Sequence, residues 1–140
     1  MNQLILSLFL AWNTHRVSDD DLRRLAKLTV MHAELNSVSA LMMASIFFQE
    51  GRLMEKPPRH GFGCGVGQVL PVKAWGRPTC DELETYEIAV TTAAKILARC
   101  HKKFKSINGV LGCYHGLDTK SNLRYANAVL GRIKHLEVLR

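Results

Sequence analysis

The chain has 140 residues, 47% hydrophobic and 22% charged, with a formal net charge of +7. That length and balance fit one domain with its own core and exclude a disordered or low-complexity chain. The charge is uneven: Lys95 to Arg140 holds ten Lys/Arg and two Asp/Glu, a balance of +8, whereas the preceding residues hold nine basic and ten acidic, a balance of −1. A basic C-terminal third is either an ordinary solvated surface or a field that favours a polyanion, whether nucleic acid, anionic lipid or an acidic cell-wall polymer.

The first element is "LILSLFLAW", Leu4 to Trp12. Nine residues cannot span a bilayer. The run resembles the apolar core of an export signal, yet no Lys or Arg precedes it and "NTHR" offers no small-residue cleavage site. It reads as a short buried helix. Residues 1–17 thus form an N-terminal apolar segment packed on the domain, a degenerate export signal being the alternative, and residues 18–140 form the domain proper.

"VSDDDLRRLAKLTVMH" follows, with Ser18 as N-cap and three aspartates in the first turn. Leu22, Leu25, Ala26 and Thr29 repeat at helical spacing. After a break near "ELNS" comes "SVSALMMASIFFQE", apolar nearly all round, as expected of a buried central helix. Gly51 is its expected stop.

The texture then changes. "EKPPRHGFGCGVGQVLPVKAWGRP" is dense in proline and glycine, so it must be loop or short extended ribbon. Thr79, three residues before Glu82, opens a capping box. Leu83, Tyr86, Val90, Ala93, Ala94, Leu97 and Cys100 then make one apolar stripe on a helix expected to run from Thr79 to Lys105. "INGVLGCYHGL" is a short apolar segment between glycines. "SNLRYANAVLGRIKHLEVL" is a final amphipathic helix, with Leu123, Ala126, Val129, Leu130, Ile133 and Leu136 expected inward. The fold class is therefore mainly α, a single domain with a short glycine-rich β-ribbon or loop after the central helix.

Several chemistries lack their motifs. The alternating Gly61, Gly63, Gly65 and Gly67 match neither G-x-G-x-x-G nor a phosphate loop. There is no G-x-S-x-G elbow and no H-E-x-x-H. Cys64, Cys80, Cys100 and Cys113 form no C-x-x-C, so no zinc-ribbon or haem spacing arises and no metal or cofactor is expected. They permit disulfides in an oxidising compartment. Glycine at every second position suits either a flexible loop or a ribbon that another backbone or a ligand approaches closely. Gln68 at its end offers an amide. Glu50 closes the apolar helix, either as a solvated helix end or as an acid whose apolar neighbours raise its pKa.

The order of four segments bears on that choice. "LMMASIFFQEGRL", then "GCGVGQVLP", then "VLGCYHG", then "RYANAV" resembles the soluble lytic transglycosylases, which share a lysozyme-like fold with goose-type lysozymes. The resemblance covers Leu22 to Leu136. It implies that Glu50 is the catalytic acid. It further implies that Gly65, Val66 and Gln68 of the ribbon, Tyr114 and His115 of the third segment, and Tyr125 of the final helix, with Val129 beside it, belong to the substrate site. The chain departs from the family pattern at Gly51, where serine is usual, at Gly67, where methionine is usual, at His115, where asparagine is usual, and at Glu87, where asparagine is expected. Cys64 and Cys113 would flank the cleft and approach one another.

The implied activity is cleavage of the β-1,4 bond between N-acetylmuramic acid and N-acetylglucosamine in peptidoglycan, outside the cytoplasmic membrane, by a secreted or phage-delivered enzyme. A single glutamic acid would serve, without metal or cofactor. The expected partner is a peptidoglycan strand, not nucleic acid or a membrane, and the protein is expected to be a monomer. A hydrolytic goose-type lysozyme on the same fold and a non-enzymatic basic module that binds nucleic acid are the alternatives. The nearest other carboxylates, Glu34 and Glu55, read as surface residues.

Overall fold

The computed structural model describes residues 1–116 and 119–138. Among them the backbone forms α1 (Asn2–Trp12), α2 (Asp19–Asn36), α3 (Ala40–Gly51), a 3-10 turn (Lys73–Trp75), α4 (Cys80–Leu83), α5 (Tyr86–Lys103), α6 (Ile107–His115) and α7 (Thr119–Val138). The protein is mainly helical, as the periodicity requires. No described helix is long and apolar enough to cross a membrane.

Local chemistry sets the helix starts. The Ser18 hydroxyl accepts from the Asp21 amide at 3.1 Å, and Ser39 does the same for Met42. Each satisfies one orphan donor of a first turn. Between them Ser37 takes a left-handed conformation and closes α2.

Helix α3 is the centre of the domain. Met42 through Phe48 are all buried, and α1, α2 and α7 pack around it. Its one polar core side chain, Ser45, donates to the Leu41 carbonyl at 2.9 Å, so nothing polar is stranded there. Helix α1 lays Ile5 and Phe9 on this core but leaves Leu4 and Leu10 facing out, so the N-terminal apolar run is buried on one face only.

Two expectations are corrected, and one segment left open is resolved. The helix foreseen from Thr79 to Lys105 is two helices. The capping box forms, but it caps only the single turn α4, and the chain breaks at Glu84–Thr85. Helix α5 then starts at Tyr86, whose amide donates to the Glu55 carboxylate at 3.0 Å. A cap from 31 residues upstream is invisible to local periodicity. The segment between glycines is a helix, α6, with Ser106 accepting from the Gly109 amide. In α7 Ala126 and Val129 are buried and Leu130 and Ile133 pack against the core as anticipated, Tyr125 joins them, and only Leu123, 52% exposed, departs from the expected stripe. Leu136 lies outside the residues whose side chains are described.

The cysteines also pair otherwise than expected. Cys64 bonds Cys80, and Cys100 bonds Cys113. Cys64 faces the start of α4, and Cys113 on α6 faces α5, so Cys64 and Cys113 each have a nearer partner. Closing loops of this size removes unfolded-state freedom worth roughly 3 kcal/mol per bridge.

The glycine-rich stretch is a tight turn closed by one antiparallel bridge between Cys64 and Val69, with no strand among the described residues. It lies directly on the end of α3. A Cβ at Gly51 would stand 2.5 Å from the Val66 carbonyl oxygen and 2.6 Å from its Cα. Gly51 is thus the last helical residue because of a backbone that presses on it; the left-handed cap is Arg52. No side chain fits at this position without moving the turn.

This contact yields a test with opposite signs at two glycines. Gly51→Ala should lower stability by ~2 kcal/mol despite alanine's better helix propensity, because the colliding atoms are backbone. Gly131→Ala, in α7 with nothing within 4 Å of the added carbon, should raise it by about 0.5–1 kcal/mol. Urea unfolding of both variants checks this; a neutral Gly51→Ala would show that the turn does not bear on the helix.

Candidate functional site

Glu50 is the penultimate residue of α3. Its side chain emerges where the helix meets the glycine turn. There an open pocket of about 230 Å³ is lined by Glu50, His60, Phe62, Gln68, Leu70 and His115, with Gly61 and Gly63 in its wall. Burial among these groups pushes the Glu50 carboxyl up to about 7, against the opposing pull of Arg52. The charged form is disfavoured because water is replaced by apolar surface. A carboxylic acid that holds its proton near neutrality can act as a general acid and then as a base.

Two tyrosines stand behind it. Burial raises both phenols, and the Glu50 charge pushes each further up, which places both rings within its field. The Tyr114 hydroxyl donates to the Gly67 carbonyl at 2.8 Å. A Cβ at Gly67 would sit 2.7 Å from that same oxygen, so a side chain there would require the tyrosine to shift. The Tyr125 hydroxyl is buried with no hydrogen-bond partner among the described residues, and its ring stacks on His115 at 4.4 Å. A buried donor without a partner is costly.

The remaining site residues divide. Gln68 is on the pocket wall in a left-handed conformation. Its side-chain amide donates to the Gly65 carbonyl at 2.9 Å, which leaves Oε1 for a ligand. His115 is also on the wall. Gly65 and Val66 are buried beneath it and do not line it. Gly65 has a φ of 74° and an added carbon there would collide with the Leu83 carbonyl. Both shape the turn and leave the surface to others. Tyr114 likewise supports the floor.

No other carboxylate among the described residues lines the pocket. Glu55 is engaged by Arg24 at 3.1 Å and by the Tyr86 amide. Glu87 pairs with the same Arg24 at 3.0 Å, so it belongs to that cluster and not to the pocket. Glu34 borders a separate cavity at the opposite end of α3, beside Ala40 and Leu41. Among the described residues no group of three or more His, Cys, Asp or Glu is placed to hold a metal ion.

His60, Phe62 and Leu70 were not foreseen as site residues. Phe62 is 83% exposed at the lip of the pocket and offers a flat apolar face. Its signal in the sequence was an aromatic between glycines, "HGFGCG", where no core position explains a phenylalanine. Comparison of the chain with family models, with curated proteins and with solved structures finds no match.

Protonation of Glu50 has a measurable sign. The carboxyl is held near 7 in the folded chain and titrates near 4.5 when exposed. Below 4.5 both states are protonated and the group contributes nothing. Between 4.5 and 7 the native state keeps a proton that the unfolded chain has lost, so stability falls as pH rises. Glu50→Gln removes that loss. The variant should match wild type at pH 4 and exceed it at pH 8, by on the order of 3 kcal/mol at most. Thermal unfolding at the two pH values decides; equal differences at both would mean that the carboxyl is solvated.

Proposed function

We propose that the protein is a peptidoglycan lytic transglycosylase with a lysozyme-like arrangement of its helices, and that Glu50 is its catalytic acid. The observation that carries this reading is a half-buried carboxyl, held protonated near neutrality, as the one described carboxylate in an open pocket that also presents an amide, an imidazole and an exposed aromatic ring. Supporting it is the order of the four segments, which brings Glu50, Gln68 and His115 to one pocket with Tyr125 behind it.

The chemistry follows from one acid. Glu50 gives its proton to the glycosidic oxygen as the bond to the sugar's C1 breaks. The resulting carboxylate stabilises the positive charge that develops at C1. It then takes the proton of the C6 hydroxyl as that oxygen closes on C1, giving a 1,6-anhydro end and restoring the acid. Glycosidases that use water place a second carboxylate across the bond to activate it or to attack C1. Glu55 and Glu87 are held by Arg24 instead, which favours the intramolecular route over hydrolysis. Phe62 at the lip supplies a surface on which a sugar ring packs, and Gln68 Oε1 accepts from a sugar hydroxyl or acetamido N–H.

The two disulfides fit an oxidising setting outside the cytoplasmic membrane, where the wall polymer lies.

Glu50→Gln should cut the rate of cell-wall solubilisation at least 10³-fold, a loss consistent with removing a general acid, with helical circular dichroism unchanged. Mass spectrometry of the wild-type products should find sugar ends one water lighter than hydrolysed ones; hydrated ends would assign a goose-type lysozyme. Lysis at the wild-type rate by Glu50→Gln would remove the assignment altogether. The alkaline limb of the pH profile gives a separate check. Activity requires the protonated form, so kcat/KM should hold below pH 7 and decline tenfold per unit well above it.

A further inference from the structure

A second pocket, of about 200 Å³, adjoins the first. Leu70 borders both, and the successive residues Tyr114 and His115 each line one of them. Its character is opposite. Arg77, Arg99 and Lys103 stand around it, the Trp75 ring forms a wall, and no carboxylate lines it among the described residues.

The cations are held in place without being neutralised. Arg77 donates to the Leu70 carbonyl at 3.2 Å and lies over the Trp75 ring at 4.7 Å. Its Nε is buried with no hydrogen-bond partner. Among the described residues no ion pair involves Arg77, Arg99 or Lys103; the ion pairs there are made by Arg24 and Arg59. Burial and the Arg99 charge both lower the Arg77 pKa, the mark of like charges gathered without a counter-ion. Trp75 is 54% exposed, so its face is open to a ligand. Arg24 and Arg59, by contrast, are satisfied by carboxylates: Arg24 by Asp21, Glu55 and Glu87, and Arg59 by Asp81 and Glu84.

We infer that this pocket is an anion subsite that takes a carboxylate on a side branch of the glycan whose backbone lies in the Glu50 pocket. A guanidinium matches a carboxylate in planar geometry, a second arginine and a lysine add charge, and the indole covers the adjoining apolar stem. The peptide branches of peptidoglycan end in such carboxylates. The identity of the branch rests on the function proposed above. The anion site itself rests on Arg77, Arg99, Lys103 and Trp75. Phosphate shares the charge but not the planar two-oxygen geometry.

The intact protein is titrated with the free stem tetrapeptide, with the same peptide amidated at its carboxylates, and with inorganic phosphate. The readout is the indole N–H resonance of Trp75. The free acid should shift it saturably. The amidated peptide should bind at least tenfold more weakly, as should the free acid to Arg99→Glu, a substitution at an exposed position. No shift with the free acid, or equal binding of the amidated form, overturns the inference; phosphate binding as tightly as the peptide overturns the carboxylate assignment. A parallel assay compares cleavage of peptide-bearing strands with strands stripped of peptide. Cleavage of neither removes the proposed function and leaves the titration to decide the pocket. Equal cleavage of both overturns the coupling between the pockets.

Discussion

The site depends on one contact, the backbone of Val66 laid against the last turn of α3 at Gly51. With no Cβ in the way, the glycine turn sits directly on the helix end and closes over Glu50. The neighbouring glycines serve the same approach from the other side. Gly63 meets the Gln68 backbone, Gly65 the Leu83 carbonyl and Gly67 the Tyr114 hydroxyl. Any side chain at these positions would lift the turn, admit water to the carboxyl and return it toward its ordinary pKa. The acid is therefore a product of packing density around a backbone. Its own residue type supplies only the group to be tuned.

A turn pressed onto a helix must be held there. The Cys64–Cys80 bridge ties it to α4, and the Arg59 guanidinium, bonded to Glu84 and Asp81, ties the preceding loop to the same place. Glu55 closes the other end by capping α5 and taking Arg24. The Glu84 carboxylate is buried, whereas the Arg59–Asp81 and Arg24–Glu55 pairs are more exposed and contribute little singly. The disulfide, by restricting the unfolded chain, contributes more. The combination explains why a segment so rich in glycine does not behave as a free loop around the pocket.

Much of this was legible in the sequence, and the illegible parts share a cause. Ser18 and the aspartates marked α2, and the apolar run marked α3 as the core helix. The stripe from Leu83 to Cys100 is buried as its spacing requires. These are local signals, written within one turn or two. The break between α4 and α5 was not legible because its cap, Glu55, comes from 31 residues away. The cysteine pairing depends on which helices face each other, which spacing does not encode. Leu123 was assigned inward by extending the stripe one turn too far toward the start of α7, where the core does not reach. Gly51 read as a helix stop, the usual meaning of glycine there. Its actual role required knowing what lay above it. Phe62 and Leu70 were missed because a pocket wall has no periodicity.

The placement of charge then has a physical rationale. A cation in contact with Glu50 would favour its ionised form and cost it the proton that the chemistry needs. The two arginines nearest to its helix end are turned to aromatic rings instead. Arg52 lies over Phe48 at 4.8 Å, and Arg132 lies over Phe48 at 4.2 Å while reaching Gln49. The cations available to a ligand, Arg77, Arg99 and Lys103, lie across Leu70 and Tyr114 in the adjoining pocket. On the proposed function, an anionic polymer would be held by charge at one pocket while the reacting bond meets a neutral acid at the other. The apolar partition keeps the two requirements from cancelling: attraction acts over the several ångströms of the pocket pair, whereas desolvation is set by the atoms in contact with the carboxyl.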